Sequence, residues 1–168
     1  MAVWHYRGSL VSRDGIIRHH GEIPEELPGY RAVWNLDEAD EQPTPRYNPP
    51  DVCERVAKGL SALLPPLKHW SEDAIAFGSD EENRLVVWDD GGVYFKLSLL
   101  CPDLELFRKL AELAATHHLL WVSSRLGRPI EPDFKAILED MIASPAYKFC
   151  RDPKGYLLSL KHQGQLKI

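Results

Sequence analysis

Apolar and polar residues alternate clearly in one stretch of the chain. After an acidic turn at Asp80, Glu81 and Glu82, residues 83–88 run through Leu85, Val86, Val87 and Trp88. Residues 92–99 answer them beyond Asp89, Asp90, Gly91 and Gly92. A short Gly-containing loop between two β-rich runs predicts a hairpin. With 73–78 ahead of the turn, the three runs predict an antiparallel meander. Upstream, Val3, His5 and Arg7 alternate with Trp4, Tyr6 and Gly8, which predicts a strand over 2–11. Arg13, Asp14 and Gly15 read as a turn, with Ile16, Ile17 and Arg18 as the second arm of a hairpin. Tyr30, Ala32 and Trp34 suggest another strand over 30–36. Whether these N-terminal strands join the meander or form a flap over it stays open.

Helical spacing takes over elsewhere. Val52, Val56, Leu60, Leu63 and Leu64 form one stripe, with Asp51 and Glu54 placed as a capping box and Pro65-Pro66 as its end. Asp103 precedes the stripe Leu106, Phe107, Leu110, Leu113 and Ala114. Residues 119–122 read either as a short strand or as the buried end of that helix. Pro132 fits the first position of a helix carrying Phe134, Ile137, Leu138, Met141 and Ile142. Ser144-Pro145 and Asp152-Pro153 each announce a further short helix. The order of elements predicts an α+β fold: an antiparallel sheet, the meander over 73–99 plus N-terminal strands, packed against several helices.

At 168 residues the chain suits one domain over 1–168, large enough to bury a core without disulfides or metal. Residues 37–50 hold four acids and four prolines, which break helix and sheet alike. They read as a long loop between an N-terminal part, 1–50, and a part of helix, meander and C-terminal helices, 51–168. Three cysteines, Cys53, Cys101 and Cys150, are too few and too scattered for a secreted disulfide framework, and each reads as a buried thiol. No signal peptide or membrane-length apolar run is visible, which predicts a cytoplasmic protein without a membrane partner.

The net charge of −5 is unevenly spread: residues 72–90 carry seven acids against Arg84, and the tail after Tyr147 is basic. An acidic body argues against nucleic acid as partner and suits steering toward a basic protein. Seven histidines prompt a search for chemistry, but His19-His20 and His117-His118 are adjacent pairs, and metal-ligand spacings are missing. No nucleophile elbow or phosphate-binding loop occurs. The reading is a non-catalytic protein with no cofactor and no metal. An enzyme remains an alternative, with a site near Cys101, His117 and His118, as does an adaptor subunit. Trp88 by itself reads first as a core residue, but rimmed by Asp89 and Asp90 and with Tyr94 on the returning arm it also has the anatomy of a protein-binding hot spot.

One resemblance sharpens this. Leu63-Leu64-Pro65, Phe77-Gly78, Asn83-Arg84 and Gly91-Gly92 mark a stretch similar to small immunity proteins of bacterial polymorphic toxin and type VI secretion systems. Gly127-Arg128-Pro129, Ser144-Pro145-Ala146 and Asp152-Pro153-Lys154 continue it. The resemblance covers the last two thirds of the chain and implies a cytoplasmic α+β protein that neutralises a cognate toxin by occluding its active site. It supplies no catalytic residues. The acidic region of Asp80, Glu81, Glu82, Trp88, Asp89 and Asp90 is the expected contact surface. The loop bearing Glu38, Asp40 and Glu41 is the second choice.

Overall fold

The computed structural model describes residues 4–30, 46–69 and 71–163. Residues 31–36 of the strand predicted over 30–36, and the acids Glu38, Asp40 and Glu41, lie outside the described residues, while Tyr30 lies in a turn. The described residues build a seven-stranded antiparallel sheet and six helices, the α+β class that the pattern predicts.

Strand β1 (His5–Ser12) leads into α1 (Arg13–His20), not into a second hairpin arm. Ile16 and Ile17 look β-prone, but the Ser12 side chain accepts from the Gly15 N–H and starts a helix instead. Helix α2 (Pro50–Ser61) follows. Its N-cap is Pro49, and Asp51 is not the cap: it pairs with Arg55 at 3.1 Å. The helix ends at Ser61, ahead of Pro65-Pro66, so Leu63 and Leu64 lie beyond it and Pro66 has another role. It opens a two-residue strand, β2 (Pro66–Leu67), on the edge of the sheet. The meander then arrives as predicted: β3 (Ala74–Gly78), β4 (Arg84–Trp88) and β5 (Val93–Ser98).

Helix α3 (Leu104–Thr116) is capped by Asp103. Residues 119–122 resolve as strand, within β6 (Leu119–Ser123), and β7 (Pro129–Ile130) lies beside it. In α4 (Phe134–Ala143) the cap is Asp133, so Pro132 lies just outside the helix. Ser144 and Asp152 cap α5 (Pro145–Arg151) and α6 (Pro153–His162), as their sequence signals predict.

The sheet order is β2-β3-β4-β5-β1-β6-β7. The N-terminal strand is therefore no flap; it joins the meander to β6 and sits near the middle of the sheet. Its Gly8 makes this possible, because a Cβ there would lie 2.3 Å from the Val122 carbonyl oxygen and 2.4 Å from the Phe95 ring. One face of the sheet carries Tyr6, Leu10, Leu85, Val87, Phe95, Leu97 and Trp121. It is covered by Val56 and Leu60 of α2, Phe107 and Leu110 of α3, and Ile137 and Met141 of α4. Each fully buried side chain of this size contributes about 1.5–3 kcal/mol.

A polar link runs through this core. Trp121 Nε1 donates to Tyr6 Oη (3.1 Å), Tyr6 donates to Asp140 (2.8 Å), and Asp140 pairs with Arg125 at 2.5 Å. Burial first, then the Asp140 charge, raises the Tyr6 pKa well above the ordinary phenol value. The opposite face is only partly covered. Ile16, Leu27 and Tyr47 pack on Val11, Leu120 and Val122 at the β1–β6 side. Among the described residues no helix is long and apolar enough to cross a membrane.

Candidate functional site

Register decides where the acidic residues stand. The β3–β4 turn bears Asp80, Glu81 and Glu82, whereas Trp88, Asp89 and Asp90 belong to the β4–β5 turn. Since β4 has five residues, the two groups sit at opposite ends of one strand, roughly 17 Å apart. They do not lie side by side as their closeness in sequence suggests.

The Trp88 end is bound into the fold. Trp88 packs against the small cluster of Ala74, Ala76 and Val86, and the His69 ring meets it edge-on at 5.1 Å. Asp90 accepts from the Gly92 N–H (3.0 Å) and lies 3.8 Å from Arg46. Gly91 holds φ at +96° beside Asn48, whose Nδ2 donates to the Gly91 carbonyl (2.8 Å) and the Leu10 carbonyl (2.9 Å). The Asn48 Oδ1 accepts from the Ser12 N–H at 2.5 Å. This buried side chain thus ties the turn to the end of β1.

The other end borders a cleft of about 750 Å³. His5 Nε2 lies 3.1 Å from the Glu81 carbonyl and acts as the donor. Asp80 turns inward to Arg84 at 2.5 Å, and its carbonyl accepts from Lys96 Nζ. Glu81 and Glu82 stay exposed and form no ion pair among the described residues. Across the cleft lie Trp4, Leu100, Cys101 and Asp103. Leu100 is 64% exposed and Leu104, at the start of α3, 46%. Neither leucine carries a periodic signal in the sequence; Leu100 sits in the connection between β5 and α3, and Leu104 is the first residue of α3.

The alternative site does not assemble. Cys101 precedes α3 and His117 caps its far end, so the 13-residue helix separates them by about 20 Å. Burial, with Arg55 and His118 nearby, lowers the His117 pKa. His118 is at a positive φ of 55° and its carbonyl accepts from the Arg13 N–H. His20 meets the Tyr47 hydroxyl at 2.7 Å at the end of α1.

The cysteines do not share one environment either. Cys53 is buried and Cys150 half-buried, and burial raises both thiol pKa values. Cys101 is exposed, against expectation, because its segment leaves the sheet before α3 begins. Among the described residues no group of His, Cys, Asp or Glu is arranged to hold a metal ion. Comparison of the chain with family models, curated proteins and solved structures returns no match.

Proposed function

We propose that the chain is a non-catalytic binding protein that neutralises a cognate bacterial toxin by covering its active site. Its contact surface is the turn 80–82 together with the apolar rim of the neighbouring cleft. The observation that carries this reading is the juxtaposition of exposed Glu81 and Glu82 with exposed Leu100 around one cleft. Apolar anchors inside a charged rim are the usual anatomy of a protein interface. The acids would complement a basic cleft on the partner and speed encounter. The resemblance to immunity proteins supplies the class of partner.

The test is expression of the product of the adjacent gene in a sensitive host, with and without this protein. Killing by that product alone, with survival and co-purification of the pair, supports the reading. A harmless product that does not bind removes it. With a toxin in hand, Leu100→Asp should weaken the complex at least tenfold, as expected for a buried anchor. Unchanged affinity would move the contact to another face.

A further inference from the structure

In a chain whose acids outnumber its Lys and Arg residues, 25 to 20, three cations stand side by side on the partly covered face of the sheet. Arg84 of β4 is the direct cross-strand partner of Lys96 in β5, and Lys96 is the direct partner of Arg7 in β1. Like charges directly opposite one another destabilise an antiparallel pair. Here one ammonium faces a guanidinium on either side, across strands about 4.8 Å apart. Burial, then Arg84 and Arg7, lower the Lys96 pKa against the opposing pull of Asp80.

The fold relieves this conflict only in part. Asp80 is the single carboxylate paired to the row among the described residues, and it sits on Arg84. Lys96 receives the Asp80 backbone carbonyl rather than a charge. Arg7 is exposed and forms no ion pair among the described residues. Arg84 Nε is buried and has no hydrogen-bond partner among them. The row borders a concavity of about 320 Å³, whose other walls include Val86, Tyr94 and Ser124. A local rule broken with only partial internal compensation is the mark of a functional position.

We propose that Arg7, Lys96 and Arg84 form an anion site for the phosphoryl group of a small molecule of the nucleotide class. Guanidinium forks suit phosphate oxygens. Tyr94, 40% exposed, offers a surface on which a base can rest. A concavity of 320 Å³ is of small-ligand size and does not track a polymer. Arg7 and Lys96 also line the cleft beside the 80–82 turn, but the anion site rests on its own observations and stands if the toxin-binding reading fails.

The test is calorimetric titration of the full chain with pyrophosphate and with ATP at low ionic strength. Saturable one-to-one binding of both is expected, weakened about tenfold or more by Arg7→Gln and by Lys96→Gln. Tyr94→Ala should weaken ATP and leave pyrophosphate unchanged. Without ligand, Lys96→Gln should melt at a higher temperature than the parent, because it removes the like-charge contacts. Lost binding in that variant is then not lost folding. ATP binding no tighter than pyrophosphate and indifferent to Tyr94→Ala would overturn the nucleotide class. Absence of saturable binding, full affinity in Lys96→Gln, or preference for a polyglutamate peptide would overturn the site itself.

Discussion

The two acidic turns at the ends of β4 have nearly the same composition and opposite circumstances. At the β4–β5 end, Asp90 serves its own turn and Arg46, and Asn48 clamps Gly91 to β1. At the β3–β4 end, only the Asp80 carboxylate is paired among the described residues, while Glu81 and Glu82 stay exposed and line a cleft with exposed Leu100. A cluster of acids says little about function until its hydrogen bonds are assigned. Groups already satisfied inside the chain have least left to offer a partner.

The sharpest way to break this contrast is Asn48→Ala. It strands the Gly91 and Leu10 carbonyls and the Ser12 N–H, and should cost about 3 kcal/mol in chemical denaturation. A loss below about 1 kcal/mol would mean that the clamp is not what holds the turn. Gly91→Ala comes next. Its φ of +96° and a Cβ 2.6 Å from the Asn48 carbonyl oxygen should cost about 1–3 kcal/mol.

The double reversal Glu81→Lys/Glu82→Lys should leave stability within about 0.5 kcal/mol and slow toxin association about tenfold at low salt. Stopped-flow rates that do not change would take the turn out of the interface. The smallest effect belongs to Asp89→Lys. This exposed acid sits at the far end of β4, more than a Debye length of about 10 Å from the cleft, so association at physiological salt should stay within about twofold. A larger drop would return the β4–β5 turn to the contact surface.

Much of the local structure was legible because its causes are local. Asp103, Ser144 and Asp152 start helices through hydrogen bonds to N–H groups three residues on, and spacing alone exposes that signal. Errors came where a tertiary partner or a neighbouring residue overrode it. Ile16 is β-branched, yet it lies in a helix because it buries against the cluster of Val11, Leu27 and Tyr47. Residues 119–122 were ambiguous between strand and helix end until pairing with β1 settled them. The candidate site fared worse: its acids were visible, but the exposed Leu100 and Leu104 follow no period that marks an interface.

The amino-acid sequence by itself determined the α+β class, the meander and most helix starts, since these depend on periodicity and on contacts within a few residues. Only the tertiary structure decided that β1 lies between β5 and β6, because strand order depends on which buried faces fit together. That one insertion sets Arg7 against Lys96 and completes the row with Arg84. It also follows from register, not composition, that two acidic turns five residues apart along β4 face different surroundings.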